Sequence, residues 1–134
     1  MRPAPQGSHL GIGVDLVDVP RFAEFLRRNQ PYLGEVFTRR ELAAAEAEHR
    51  DLYLATRWAL KEAALKALGT GWGSGVQFTD VEALGDLSAP HISLHGRAQQ
   101  IADEAGSSSV TGSTGCAGES VIAIVVLSPA SAGT

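Results

Sequence analysis

Ten alanines and leucines crowd into residues 52–68, and the run ends at Gly69-Thr70-Gly71-Trp72-Gly73-Ser74-Gly75. Alanine and leucine are the strongest helix formers, so the pattern predicts one long helix from about Asp51 to Leu68, with Gly69 as its C-terminal cap. The alternating glycines after it exclude regular structure, and 69–75 is read as a loop. With 134 residues there is room for one domain and one core.

The remaining pattern mixes strands with shorter helices. Leu10, Ile12, Val14 and Leu16 alternate with Gly11, Gly13, Asp15 and Val17, which predicts a strand over about His9–Val17 with the leucine and isoleucine side as its core face. Asp18 is placed to cap a following helix, with Pro20 in its first turn and Phe22, Phe25 and Leu26 as its apolar stripe. Thr38-Arg39-Arg40-Glu41 has the spacing of a capping box and opens a helix through Ala43–Glu48. Strands are expected at Val76–Leu84, His91–His95 and Ser120–Leu127, with a short helix at Arg97–Ala105. The order predicts a small single-domain α+β fold, one long helix packed on a mainly antiparallel sheet. Residues 1–8 read as a flexible leader, 9–127 as the domain and 128–134 as a flexible tail.

Composition narrows the function classes. A formal net charge of −4 argues against nucleic acid as partner, because phosphate backbones require a surplus of Lys and Arg. The longest apolar run, Val121 to Leu127, is strand-sized and far too short for a bilayer, so no membrane partner is expected. The single cysteine, Cys116, excludes an internal disulfide framework and fits a reducing cytoplasm.

Two carboxylates stand out. Asp15 interrupts an apolar strand on the face lined by Gly11 and Gly13, where aspartate is disfavoured and glycine often marks close approach by another group. It reads either as a cap for the following turn or as a ligand. Glu62 shares a helical column with Ala55, Trp58, Ala59 and Leu65, a costly place for a carboxylate without a partner. It reads either as the partner of Lys66, four residues on, or as a site residue. Arg57, Lys61 and Lys66 surround it. A carboxylate, cations and a glycine loop are the parts of a metal–pyrophosphate site; a solvated, salt-bridged helix face is the other reading. The loop matches neither the P-loop nor a dinucleotide fingerprint.

Four segments in register carry a family resemblance. Gly11-Ile12-Gly13-Val14-Asp15-Leu16-Val17 with Arg21, Phe37-Thr38-Arg39-Arg40-Glu41-Leu42, Arg57-Trp58-Ala59-Leu60-Lys61-Glu62-Ala63-Ala64-Leu65-Lys66-Ala67-Leu68-Gly69-Thr70-Gly71, and Phe78-Thr79-Asp80-Val81-Glu82 resemble the signatures of the holo-acyl-carrier-protein synthase type of 4′-phosphopantetheinyl transferase. The resemblance implies an enzyme that transfers 4′-phosphopantetheine from coenzyme A to a serine of an apo acyl carrier protein. It implies dependence on Mg²⁺ and a homotrimer with sites between subunits. Asp15 and Glu62 would ligate Mg²⁺, and Asp15, Glu62 and Lys66 would be the catalytic set. Lys61 and Lys66 would neutralise phosphate oxygens and Arg57 would support the nucleotide side. Gly69, Thr70 and Gly71 would lie against the nucleotide, Arg21 would meet the carrier protein's acidic helix, and Glu41 is a weaker candidate for a site or interface role.

The resemblance breaks at one signature. The family normally carries Ser-x-Ser/Thr-His before its last strand, whereas residues 107–119 contain no histidine. One alignment puts Gly112 at the histidine position, another puts Cys116 or Ala117 there. Ser88-Ala89-Pro90 stands where Gly-Lys-Pro is usual. Read as an altered loop, 107–119 motivates an alternative: a repurposed family member that binds a carrier protein with little or no transferase activity. His91 and His95 read as surface residues.

Overall fold

The computed structural model describes residues 11–47, 49–69 and 74–129. Strand β1 (Gly11–Asp18) leads into helix α1 (Val19–Arg28); a 3₁₀ turn and the single-turn helix α2 (Leu33–Val36) follow, then α3 (Arg39–Ala45) and the long α4 (Arg50–Leu68). A 3₁₀ turn at Phe78–Asp80 precedes β2 (Val81–Gly85) and β3 (Pro90–Leu94), then α5 (Gly96–Glu104), β4 (Ser107–Ala117) and β5 (Ser120–Pro129). The class expected from the sequence, α+β with antiparallel sheets, is the observed one: β1-β5-β4 form one sheet and β2-β3 a separate hairpin.

The local signals act as their chemistry requires. Asp18 Oδ2 accepts the Arg21 N–H at 3.0 Å and caps α1. Thr38 and Glu41 form a reciprocal capping box on α3. Helix α4 ends at Gly69, whose φ of 74° is the left-handed geometry that closes a helix. Leu54, Leu60, Ala59 and Ala63 of α4 meet Val121, Ala123, Val125 and Leu127 of β5 in one buried core.

The structure corrects the sequence reading at β1. The core face is not the leucine and isoleucine side but the glycine side. A Cβ on Gly13 would lie 1.7 Å from the Ala63 carbonyl oxygen, and one on Gly11 would lie 1.9 Å from that of Ala67. The backbones of β1 and α4 touch, so only glycine fits between them. Ile12, Val14 and Leu16 therefore point outward, 56%, 49% and 64% exposed. They pair across the sheet with Val126, Ile124 and Ile122, leaving an apolar sheet face open on the single chain.

Other boundaries move as well. The strand expected from Val76 begins only at Val81, because Phe78–Asp80 coil into a 3₁₀ turn. Segment 107–119 is no loop: β4 pairs with β5 from Ser107 through Ala117 and turns through Gly118, with a φ of 60°. Strand β5 runs on to Pro129, two residues into the expected tail. The leader, Thr70 and Gly71 lie outside the described residues.

Candidate active site

A cavity of about 560 Å³ opens where the end of β1, the start of α1 and the middle of α4 meet. Asp15 and Glu62, two carboxylates from separate elements, both line it, with Arg21 at its edge. Asp15 reaches it because the glycine register of β1 turns that face toward α4. Glu62 reaches it because its position on α4 lies beside the small, buried Ala59 and Ala63. Lys66, one turn beyond Glu62, donates from Nζ to Asp15 Oδ1 at 3.2 Å and to the Val14 carbonyl at 2.9 Å. Part of the lining is aromatic: Phe22, Phe25 and Trp58. Trp58 stands 5.5 Å from both Phe22 and Phe25 between ring centroids and stacks on Phe78 at 4.8 Å. Phe22 and Phe25 had been legible only as a core stripe; their place in the cleft comes from how α1 crosses α4.

The other two cations of α4 sit elsewhere. Lys61 was expected at phosphate oxygens and Arg57 on the nucleotide side; the structure places both wholly buried and outside the lining of the cleft that Asp15 and Glu62 share. The Arg57 guanidinium lies over the Tyr53 ring at 4.0 Å. It donates to the carbonyls of Ala83 (3.1 Å), Gly85 (2.8 Å) and Asp86 (3.1 Å) and so holds β2 and the turn after it. Lys61 pairs with Glu41 at 2.9 Å and donates to the carbonyls of Phe78 and Val81. Burial pushes the Lys61 ammonium below its ordinary pKa, opposed by the Glu41 carboxylate beside it; burial lowers Arg57 in the same way. Glu41 also accepts the Ala83 N–H at 2.8 Å and the Thr38 N–H at 2.8 Å. Glu41, Lys61 and Arg57 therefore clamp β2 to α4, a structural role for all three.

The missing histidine can be located more closely. A Cβ on Gly112 would meet Ile92 Cδ1 at 2.4 Å and Leu60 Cδ2 at 3.1 Å, so a side chain there would point into the core. Cys116 is exposed near the hairpin turn and lines a second cavity, of about 770 Å³, with His49, Arg50 and Glu119. Of the alignments, the one counted back from the last strand is the one that sets an accessible side chain at the histidine position. His91 and His95 are exposed.

Among the described residues no three His, Cys, Asp or Glu side chains gather into a metal cluster. A carboxylate pair in an open cleft nevertheless suits a hard divalent cation of the Mg²⁺ type. That ion binds commonly through one or two protein carboxylates and fills its shell with water and substrate phosphate oxygens.

A small α+β fold with a carboxylate pair and aromatic side chains in one cleft, and an ammonium paired with one of the carboxylates, suits a class of enzyme that handles a polyphosphate ester. The model of the 4′-phosphopantetheinyl transferase superfamily matches residues 11–125. A holo-[acyl-carrier-protein] synthase from Geotalea daltonii is 40% identical over 120 residues, covering 87% of this chain and 96% of the relative. A crystal structure of holo-ACP-synthase from Plasmodium yoelii superposes with a TM-score of 0.79 at 26% identity, covering 94% of this chain and 99% of the other. An ACPS–CoA complex from Chronobacterium ammoniagenes superposes with a TM-score of 0.75 at 30% identity, covering 89% and 96%. The chain belongs to the 4′-phosphopantetheinyl transferase superfamily, and it is a phosphopantetheinyl transferase. No described helix is long and apolar enough to cross a membrane.

Proposed function

We propose that this protein transfers 4′-phosphopantetheine from coenzyme A to a serine of an apo acyl carrier protein, with Mg²⁺ held by Asp15 and Glu62. The observation that carries the reading is the convergence of these two carboxylates, from β1 and α4, on one cleft beside Lys66. The relatives named holo-acyl-carrier-protein synthase and the related structure with coenzyme A bound support the substrates. The serine oxygen bonds to the phosphorus that carries pantetheine, the bond from that phosphorus to the leaving phosphate oxygen breaks, and 3′,5′-ADP departs. The serine proton passes to a general base. Bound Mg²⁺ supplies Lewis-acid polarisation of the pyrophosphate oxygens. Asp15 and Glu62 provide the anionic oxygens for it, and Lys66 places an ammonium where phosphate charge collects. Gly69, Thr70 and Gly71 follow directly on α4 and are proposed to lie against the nucleotide. Arg21, exposed at the cleft edge, is proposed to meet an acidic surface of the carrier protein. The cytoplasm is the proposed compartment.

Mass spectrometry of apo acyl carrier protein incubated with this protein, coenzyme A and Mg²⁺ tests the reading. The expected result is a mass gain of one phosphopantetheine, abolished by chelation. Carrier binding without any gain would favour the repurposed, non-transferring member instead. Its original motive, an altered loop, has become a paired strand, so what remains of it is the substitution at the hairpin.

We also propose that the working form is a homotrimer joined through the outward face of β1 and β5. Ile12, Val14, Leu16, Ile122 and Ile124 are all more than a third exposed on the single chain, an apolar patch of the kind that marks a subunit contact. Leu16→Asp is expected to convert the sedimenting species from trimer to monomer and to reduce transfer by at least about tenfold through burial of an unpaired charge. A variant that sediments as the wild type would refute the placement of the interface.

A further inference from the structure

Resting on the assignment of Asp15 and Glu62 as the metal ligands, we infer that Lys66 occupies Asp15 in the free protein, so that the metal loads together with the pyrophosphate of coenzyme A and not before it. Lys66 leaves α4 one turn after Glu62 and crosses to β1, where its ammonium has two acceptors: the Val14 carbonyl at 2.9 Å and Asp15 Oδ1 at 3.2 Å. The backbone carbonyl fixes where the ammonium rests, and the carboxylate oxygen it covers belongs to one of the two groups that would hold the cation. Asp15 is only 17% exposed, which limits the directions from which a second cation could approach. A divalent ion entering alone must either displace the ammonium or share a carboxylate with it, and like charges at one carboxylate repel.

The contact is built for exchange. The Lys66 side chain is 54% exposed, and an ion pair that open is weak. Incoming pyrophosphate brings the negative charge that both cations need. Lys66 then moves from Asp15 to a phosphate oxygen, and the vacated carboxylate oxygen becomes a ligand. No bond other than ionic contacts and hydrogen bonds is made or broken. Lys66 thus has two opposed effects, against the metal alone and for the metal with nucleotide.

That opposition is the test. Mn²⁺, a paramagnetic stand-in for Mg²⁺, is titrated into the full chain without nucleotide and free Mn²⁺ is read by electron paramagnetic resonance; coenzyme A is then titrated with Mn²⁺ present. Lys66→Gln is expected to bind Mn²⁺ alone roughly tenfold more tightly and coenzyme A roughly tenfold more weakly than the wild type. Lys66→Arg, which keeps the charge, is expected to bind Mn²⁺ alone as weakly as the wild type. A Lys66→Gln protein that binds Mn²⁺ alone no more tightly than the wild type overturns the inference. Asp15→Asn separates the two levels. If it loses Mn²⁺ while Lys66→Gln gains nothing, the metal assignment stands and the exchange falls. If it binds Mn²⁺ as the wild type does, the assignment and the inference fall together.

Discussion

Asp15→Ala is expected to lower the rate of phosphopantetheine transfer by about a thousandfold, the scale of losing a preorganised charge at a reacting centre, while the protein stays folded. Asp15, Asp18 and Glu62 line the cleft, Asp18 is taken up in capping α1, and among the described residues no three His, Cys, Asp or Glu side chains gather into a metal cluster. Removing Asp15 therefore removes one of the two carboxylates proposed to hold the metal. The fold has little at stake, because the salt bridge of Asp15 is to Lys66, a half-exposed side chain, and such a pair contributes at most about 1 kcal/mol. Initial rates over a range of Mg²⁺, beside a urea titration of the same variant, check both halves. Glu62→Ala is expected to behave alike in rate. A variant with unimpaired transfer would remove Asp15 from the metal site.

The second large effect concerns stability. Lys61→Met is expected to lower the unfolding free energy by about 3–5 kcal/mol, the range for breaking a buried ion pair. Lys61 and Glu41 are both without solvent exposure and stand 2.9 Å apart. Methionine would occupy the space of the lysine stem and leave the Glu41 carboxylate buried without its cation. The carbonyls of Phe78 and Val81 would also lose a donor. Adding Glu41→Gln should recover part of the loss, since the amide oxygen can still accept from Thr38 or Ala83 while the charge is gone. Urea unfolding of the two single variants and the double variant gives the coupling. A loss below about 1 kcal/mol for Lys61→Met, the level of a surface pair, would contradict the clamp.

Helix α4, its stop at Gly69, the cap at Asp18 and the capping box at Thr38 and Glu41 were legible in the sequence because each is decided within a few residues. Helix propensity and capping hydrogen bonds act over one turn and do not wait for the rest of the chain. The two carboxylates were legible for a related reason: charge set into an apolar or glycine-rich stripe needs an explanation, and Asp15 and Glu62 were conspicuous by that measure. That they share a cleft is a fact of tertiary structure, made by the packing of β1 on α4.

Alternation along β1 announced two faces but could not say which one meets the core. The apolar face would have been the default. The contact between the β1 and α4 backbones at Gly11 and Gly13 reversed it, and the leucine and isoleucine side became a surface. The same limit governed β4, whose four serines and two glycines have little strand preference of their own and which forms a strand because β5 pairs with it. Lys61 and Arg57 show it once more. A cation beside Glu62 looks like a phosphate ligand until the fold brings Glu41 and the β2 carbonyls against it. Propensity, caps and out-of-place charges were settled by neighbours in the chain; facing, pairing and the partners of buried charges were settled only by distant elements arriving in space.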